Sequence, residues 1–188
     1  MTTTEYIDPR IIRTKKLLMD AFRKIAKEKE LHTMTVKDIT DEATVNRATF
    51  YAHFIDKYDI MDYTLSETIL KNLNSTLNVS SELNHDTLCN IFITITSYIQ
   101  STHEECKLNS EAYGKIVEKR IKEELEDIFL SLIEQQHPSE SRETLATSAR
   151  FLSWGLYGVA HHWFYTSNES PQVYIEKSLP FLTQKILK

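Results

Sequence analysis

Residues 35–61 read TVKDITDEATVNRATFYAHFIDKYDIM, and their spacing decides which fold the chain can adopt. Thr35 and Asp38 have the spacing of a capping box, so a helix of about two turns is expected to begin there. Asn46 follows Ala43 closely and is a second N-cap candidate, which predicts another short helix after a very tight turn. Two short capped helices joined in this way are typical of a helix-turn-helix motif.

The segment NRATFYAHF, residues 46–54, carries a different chemistry on each side when it is placed on a helix at about 100° per residue. Phe50 and Phe54 fall on one side, where we expect them to pack on the preceding helix. Ala48 and Ala52 fall on the opposite side. The flanks carry two polar pairs, Arg47 with Tyr51 and Thr49 with His53. The result is a narrow ridge with hydrogen-bonding groups along both edges, a shape that suits the major groove of DNA.

Each polar group of this region has a chemistry that DNA binding uses. Arg47 can offer two parallel N–H donors to a guanine edge, and hydroxyl groups can bind phosphate or base. An N-cap leaves backbone N–H groups that favour an anion, and lysines at nearby helix starts can reach phosphates. The candidate DNA-binding residues are Lys37, Asn46, Arg47, Ala48, Thr49, Tyr51, His53 and Lys57. The alternative is a solvated helix whose Tyr51 and His53 only cover a neighbouring surface.

Helical periodicity also dominates outside this region. The spacing of apolar residues, N-cap candidates and prolines predicts helices over 9–29, 56–77, 88–99, 110–136, 142–165 and 171–187. The β-branched residues of 88–99 leave a strand open as an alternative there. Pro180 is expected to kink or divide the last helix. The sequence therefore predicts an all-α fold with about nine helices.

The run at 35–61, with its T.Y.HF.DK core, resembles the N-terminal domain of the TetR/AcrR family of bacterial transcriptional regulators. The resemblance implies a three-helix DNA-binding domain at 1–56 and an all-helical dimerisation and effector-binding domain at 57–188. It also implies a homodimeric repressor that binds a palindromic double-stranded DNA operator and is released by a small-molecule effector. Carried over by position, the family's DNA contacts fall on Lys37, Arg47, Thr49, Tyr51, His53 and Lys57.

Two residues depart from the family pattern. Thr44 stands in the turn where the family usually has glycine, and a β-branched residue disfavours a positive φ. Thr40 stands where the family usually has alanine, which adds a hydroxyl near a helix crossing. Neither residue belongs to the groove-facing set, so the placement of the helices is affected rather than the expectation of DNA binding.

The segment 142–165 predicts an interface between copies of the chain. Its apolar residues recur in steps of four and three, the spacing of a helix that packs along its length on another helix. The residues are Leu145, Ala149, Leu152, Leu156, Val159 and Trp163. A twofold dimer through this segment and 171–187 would present two ridges about 34 Å apart on one side of the duplex.

An effector pocket is expected among the aromatic and polar residues of the inward stripes. The candidates are Met61, Phe92, Tyr98, Tyr113, Trp154, Tyr157 and His161. Ordinary packing in the core or at the dimer interface is the alternative for each of them, and it is the commoner role of such residues.

Composition excludes several classes of function. Only 3 glycines are present, and none precedes a strand, so the phosphate-binding glycine loops of nucleotide enzymes cannot form. Net charge is −5, but residues 10–29 hold eight basic and two acidic side chains, so a polyanion is expected to meet the N-terminal region. The 2 cysteines, the absence of a secretory signal and the lack of an apolar segment of membrane-spanning length indicate a reduced, cytoplasmic protein with no membrane contact.

Two alternatives to an effector-released repressor remain. Glu82 to His85 and Glu134 to His137 have the E-x-x-H spacing of helical-bundle metal enzymes, but both lie beside polar or proline-containing loops. His103 and Cys106 could share a helix face, yet two ligands do not make a metal site. We therefore expect no metal, no cofactor and no enzymatic activity. The second alternative is a co-regulator that is gated by a protein partner without a small-molecule ligand.

Overall fold

The computed structural model describes residues 8–77, 82–105 and 111–186, and over these residues it contains helices and no strand. The eight helices are α1 (Pro9–Ala26), α2 (Val36–Glu42), α3 (Arg47–Tyr51), α4 (Lys57–Thr76), α5 (His85–Glu105), α6 (Glu111–Gln136), α7 (Arg142–Thr166) and α8 (Pro171–Ile186). The all-α fold class is confirmed.

The chain divides into two compact units. Unit 1 comprises Met1–Leu65 and Glu105–Gly114, and unit 2 comprises Ser66–Glu104 and Lys115–Lys188. The division falls inside α4, before the last residue of α5 and inside α6, so both units contain parts of these helices. The expected domain boundary between residues 56 and 57 stays a prediction.

Helix α1 begins where the sequence places its cap and ends earlier than expected. Asp8 Oδ1 accepts a hydrogen bond from the backbone N–H of Arg10 at 2.8 Å, and proline occupies the first turn. The predicted end at residue 29 is wrong: α1 ends at Ala26, where the N–H groups of Lys27 and Glu28 donate to carbonyls only three residues back, at 3.3 and 2.9 Å. The chain then turns through the loop that precedes α2.

Helix α2 is held at its start by a capping box. The backbone N–H of Asp38 donates to Thr35 Oγ1 at 3.2 Å, and Asp38 Oδ2 accepts from the backbone N–H of Thr35 at 2.8 Å. Lys29 Nζ lies 2.9 Å from Asp38 Oδ1. The hydrogen bond from Lys29, together with those from the backbone N–H and the hydroxyl of Thr35, lowers the pKa of Asp38 to about 2. The carboxylate is therefore ionised at neutral pH and interacts favourably with the positive end of the helix.

The turn between α2 and α3 is a Schellman motif with an unusual residue in its left-handed position. The N–H of Val45 donates to the Thr40 carbonyl at 3.0 Å, and the N–H of Thr44 donates to the Asp41 carbonyl at 3.2 Å. Thr44 has a φ of 55°, a conformation that glycine usually supplies in this motif. The hydroxyl of Thr40 donates to the Lys37 carbonyl at 3.1 Å, so the second departure from the family pattern is satisfied locally.

Helix α5 shows why a β-branched stretch can be helical. The alternative of a strand at 88–99 is wrong, since the segment lies within α5. Ile91 and Phe92 are fully buried, and Thr96 hydrogen-bonds to the carbonyl oxygens of Phe92 and Ile93 at 3.0 and 2.9 Å. A threonine that bonds to the preceding turn keeps its hydroxyl satisfied inside an apolar helix face.

The number of helices differs from the prediction at α8. Pro180 lies inside α8 and does not divide it. A proline removes one backbone hydrogen bond of the helix, at a cost of about 3 kcal/mol. The buried side chains of Ile175 and Leu179, at 1% and 0% exposure, hold the helix on the core just before this position. The part of the chain that the structure describes therefore has eight helices rather than nine.

Candidate nucleic-acid interface

The underside of α3 is fixed by Phe50 and by Phe54, which follows the helix because α3 ends at Tyr51 and does not extend over the whole segment 46–54. Phe50 is 0% exposed and Phe54 is 3% exposed, and their ring centroids lie 5.8 Å apart. The ring of Phe54 also packs edge-on against that of Tyr63, with ring centroids 5.6 Å apart. Asn46 caps the helix by accepting a hydrogen bond from the backbone N–H of Thr49 at 2.7 Å. This packing sets which side of α3 can face outward.

The outer side of α3 carries small and polar residues. Arg47, Ala48, Tyr51 and Ala52 are exposed, and we name these four residues the α3 ridge. Tyr51 is 58% exposed, with its ring packed edge-on against Phe50 at 5.5 Å. Because the two alanines add almost no height, the ridge allows another surface to approach the helix backbone closely.

Thr49 and His53 are half-buried at the sides of the ridge. The Thr49 hydroxyl donates to Asn46 Oδ1 at 3.0 Å, so this oxygen of Asn46 accepts both Thr49 bonds. The amide nitrogen of Asn46 has two further donors for another partner. Lys37, on α2, is exposed and lies 2.5 Å from Asp41 Oδ2 in an i,i+4 pair.

The structure revises the expectation for Lys57. Its Nζ lies 2.8 Å from the carbonyl oxygen of Leu31, 3.1 Å from that of His32 and 2.8 Å from that of Met34. An ammonium group has three N–H donors, and three acceptors use all of them. In the chain without DNA, the ammonium of Lys57 is thus bound by three backbone carbonyls of unit 1. Sequence reasoning missed this role because backbone carbonyls carry no signal in the amino-acid pattern.

Four of the six predicted dimer residues of α7 are buried in the core of the chain itself. Leu145, Ala149, Leu156 and Trp163 are at most 9% exposed within one copy, and Leu152 and Val159 are half-buried. Trp163 Nε1 also donates to the Glu169 carbonyl at 2.9 Å. The seam spacing was a valid signal for packing along a helix, but the partner lies within the same chain.

The opposite side of α7 is the one that faces outward. Phe151 is 72% exposed, Trp154 57% and Tyr165 63%. Gly155 and Gly158 are exposed between them, and a Cβ added at either position would meet no atom within 4 Å. We name these five residues the α7 outer face. Phe151 lies three residues before Trp154 and four before Gly155, a spacing that places them on one side of the helix. The glycines interrupt the hydrophobic pattern of this side in the sequence.

The predicted pocket residues are divided between the two units. Met61 and Tyr113 are buried in unit 1, whereas Phe92, Tyr98 and Tyr157 are buried in unit 2. Phe92 stacks on Tyr174 with ring centroids 6.3 Å apart. Burial raises the pKa of the Tyr157 hydroxyl, which keeps that group neutral at physiological pH.

Two of the pocket candidates lie at the surface of one copy, and their role in a pocket stays a prediction. Trp154 and His161 are exposed on α7. Lys122 Nζ lies 4.2 Å from the Trp154 ring centroid, at an open groove lined mainly by charged residues of α6. The His161 ring lies between Tyr157 and Tyr165, at 5.8 and 4.8 Å. An alternation of apolar residues cannot distinguish the inner from the outer side when both sides of a helix carry aromatics.

The residues considered for a metal lie at the ends of helices. Glu82 and His137 are exposed, His85 and Glu134 are half-buried, and Cys106 lies outside the described residues. Over 8–77, 82–105 and 111–186, no three His, Cys, Asp or Glu side chains come together as metal ligands. In the same ranges, every helix is too short or too polar to cross a membrane.

Comparison with known proteins places the similarity in the N-terminal region and in the overall fold. Residues 18–64 match the family model "Bacterial regulatory proteins, tetR family". An uncharacterized HTH-type transcriptional regulator of Bacillus subtilis (strain 168), YxbF, is 38% identical over 56 residues, which are 29% of this chain and 15% of that protein. The matched segment therefore spans much less than two thirds of this relative.

Solved structures share the fold over nearly the whole chain. A TetR transcriptional regulator from Rhodococcus sp. RHA1 is similar with a TM-score of 0.56 at 19% identity, over 93% of this chain and 98% of that one. The dihydroxyacetone kinase operon activator DhaS is similar with a TM-score of 0.58 at 16% identity, over 94% and 97%. At these identities the likeness concerns the fold alone.

Proposed function

We propose that this chain is a regulator of the TetR family. In this proposal it is a homodimeric transcriptional repressor that binds a palindromic DNA operator through the α3 ridge. The observation that carries the proposal is the exposure of Ala48 and Ala52 above the buried Phe50 and Phe54. A major groove admits a helix only where the leading side chains are small enough for the flanking groups to reach the bases.

The flanking groups take separate roles in this proposal. Arg47 reads a base edge, with guanine as the partner that matches its paired donors. The Tyr51 hydroxyl and the free amide donors of Asn46 bind phosphates, and Lys37 exchanges Asp41 for a phosphate on the groove wall. Thr49 and His53 flank the ridge and contact the DNA backbone in this proposal.

Dimerisation through the α7 outer face gives the second ridge that a palindrome requires. Each glycine inside a helix costs about 1 kcal/mol relative to alanine. Within one copy, no neighbouring atom requires glycine at residue 155 or 158, because a Cβ added at either position would meet no atom within 4 Å. Close approach of a second helix, with Phe151 and Trp154 packed at its sides, would explain both the glycines and the exposed aromatics.

The regulatory response follows from two states of the dimer. An effector releases the operator only if it binds one arrangement of the two ridges more tightly than the other. The buried aromatics of unit 2, Phe92, Tyr98 and Tyr157, are the candidates for the effector contacts. The similar protein DhaS is named as an activator, so the fold is compatible with either sign, and repression is proposed here because it is the common outcome in the resembled family.

The proposal is tested with the α3 ridge. The operator is first selected from random duplex DNA by the unaltered protein, and binding is then measured by mobility shift at two salt concentrations. Ala48→Leu is expected to leave thermal stability unchanged, because residue 48 is exposed. It should weaken operator binding at least about tenfold, since the added side chain blocks the approach to the bases.

Ala48→Ser is the matched control, because it keeps the ridge low and is expected to retain most of the affinity. If Ala48→Leu binds the operator as tightly as the unaltered protein, the ridge does not enter the groove. If the unaltered protein selects no sequence, DNA binding itself is refuted.

A further inference from the structure

We infer that Lys57 is a positioning residue, which fixes the two ends of the helix-turn-helix against each other and makes no phosphate contact of its own. The inference rests on the DNA binding proposed above. Its basis is the set of three backbone carbonyls, from Leu31, His32 and Met34, that surround Nζ at 2.8, 3.1 and 2.8 Å. We name these three groups the carbonyl triad.

The carbonyl triad and Lys57 lie at opposite ends of the motif along the chain. Met34 immediately precedes Thr35, the N-cap of α2, and Lys57 is the first residue of α4, shortly after α3 ends. One ammonium group therefore connects the segment that leads into α2 with the segment that leaves α3. Any movement of α2 and α3 relative to α4 would have to break these bonds.

The loop that carries the carbonyl triad is held in place by its own hydrogen bonds and by burial. The backbone N–H of Met34 donates to the Glu30 carbonyl at 3.1 Å, and the Thr33 hydroxyl donates to the same carbonyl at 2.9 Å. The side chains of Leu31 and Met34 are 6% and 1% exposed, so they anchor the loop in the core. The loop cannot follow a displaced lysine without losing this packing.

The start of α4, which carries Lys57, is also held by its own hydrogen bonds. Asp56 Oδ1 accepts hydrogen bonds from the backbone N–H groups of Tyr58 and Asp59, at 2.8 and 2.9 Å. Asp59 Oδ2 in turn accepts from the backbone N–H of Ile55 at 2.8 Å. Lys57 thus joins two segments that are each held by their own bonds, and the three carbonyls lose their donors if the ammonium is removed.

The two roles of Lys57 predict different salt dependences of DNA binding. Each phosphate that a protein neutralises contributes about 0.9 to the slope of log affinity against log salt concentration. Loss of a phosphate contact should make this negative slope shallower by about 0.9. Loss of a positioning contact should weaken binding equally at every salt concentration, because the number of neutralised phosphates stays the same.

The test is Lys57→Met, measured on the operator selected by the unaltered protein, well below the melting temperature and over a range of salt concentrations. We expect an affinity loss of about tenfold, the worth of one well-placed base contact, with an unchanged slope. Lys24→Met is the matched control, since it removes the same charge from unit 1 but breaks only the exposed pair with Glu42, at 2.7 Å. We expect the control to bind within about twofold of the unaltered protein.

Lys57→Arg separates charge from geometry and serves if the methionine variant does not fold. A planar guanidinium can bind a phosphate but cannot direct its donors at three carbonyls placed around a single nitrogen. We expect this variant to remain weakened, with an unchanged slope. A shallower slope for Lys57→Met, full affinity of Lys57→Arg, or full affinity of Lys57→Met would each overturn the inference. Failure of the unaltered protein to bind any DNA would instead overturn the proposed function, and this inference with it.

Discussion

At the scale of single residues, Thr44 is the position where sequence and structure disagree most clearly. The Schellman bonds of Val45 and Thr44 need a left-handed residue at the end of α2, and the chain supplies a β-branched one at a φ of 55°. An L-amino acid in this conformation is less favourable than glycine by about 1–2 kcal/mol. The motif forms because the packing of Phe50 and Ile39 on both sides of the turn outweighs this cost.

Replacing the strained residue should stabilise the protein. Thr44→Gly is expected to raise the free energy of unfolding by about 1 kcal/mol, after allowance for the greater freedom of glycine in the unfolded chain. Urea denaturation followed by circular dichroism measures the change. Thr44→Val keeps the branched Cβ and should show no gain; an equal gain in both variants would assign the effect to the hydroxyl instead of the backbone.

The residues of the helix-turn-helix were largely predictable from the sequence, because capping and periodicity are local. The capping box at Thr35, the cap at Asn46 and the burial of Phe50 and Phe54 all follow from residues close together in the chain. The role of Lys57 was not predictable, since its acceptors are backbone atoms 23 to 26 positions away. Every residue type has a backbone carbonyl, so the sequence does not indicate which of them accepts the bonds.

At the scale of elements, α2 owes part of its stability to one carboxylate. Asp38 accepts two hydrogen bonds from Thr35 and pairs with Lys29. Its pKa is lowered in the folded state to about 2, from an ordinary value of 3.8. A lowered pKa means that the contribution to stability is complete above the ordinary value and disappears as the pH falls through the folded value.

Asp38→Asn should therefore have a pH-dependent effect. At neutral pH we expect a loss of about 1 kcal/mol in the free energy of unfolding, the usual worth of a helix cap. The difference from the unaltered protein should shrink as the pH falls from about 4 towards 2, because protonation removes the same charge from the unaltered protein. Urea unfolding at several pH values measures it.

Asp41→Asn is the control for this measurement. It removes a charge from the same helix, but from the exposed i,i+4 pair with Lys37, which is worth only a few tenths of a kcal/mol. A loss at Asp38 that does not change with pH would show that shape, and not charge, supports the cap.

Helix α7 shows what an element-level pattern can and cannot predict. The steps of four and three from Leu145 to Trp163 correctly indicate a helix that packs along its length. They do not say whether the neighbour belongs to the same chain, because both kinds of contact bury the same apolar spacing. The structure supplies the missing information through burial: Ala149 and Ala160 are 0% exposed within one copy.

At the scale of the whole molecule, the charge distribution agrees with the proposal that the N-terminal region binds DNA. Residues 1–60 hold 11 Lys and Arg against 10 Asp and Glu, while the remainder of the chain holds 11 against 17. A polyanion is thus attracted to the N-terminal region and repelled by the rest. Such a bias was readable from the sequence alone, whereas the side of α7 that is exposed in one copy required the structure.

The α7 outer face gives a direct prediction about assembly. Phe151→Asp is expected to weaken self-association at least about tenfold, because it places a charge in an interface that would otherwise be apolar. Sedimentation velocity over a range of protein concentrations measures the change. The melting of the separated chain should be unaffected, as the side chain is 72% exposed.

Ser131→Asp is the control, since it adds the same charge at an exposed position of α6 in unit 2. Equal self-association of the unaltered protein and Phe151→Asp would place the contact between copies elsewhere. Leu156→Ala should behave differently from both, by lowering the stability of the chain itself by about 2–5 kcal/mol.

The two tryptophans of the chain both lie on α7, one on each side of the helix. Trp163 is 8% exposed and Trp154 is 57% exposed. Their indole fluorescence is therefore a built-in optical reporter that needs no label. An emission shift to shorter wavelength on concentration would come from Trp154 losing water, and quenching by iodide or acrylamide would distinguish the two signals in a single cuvette.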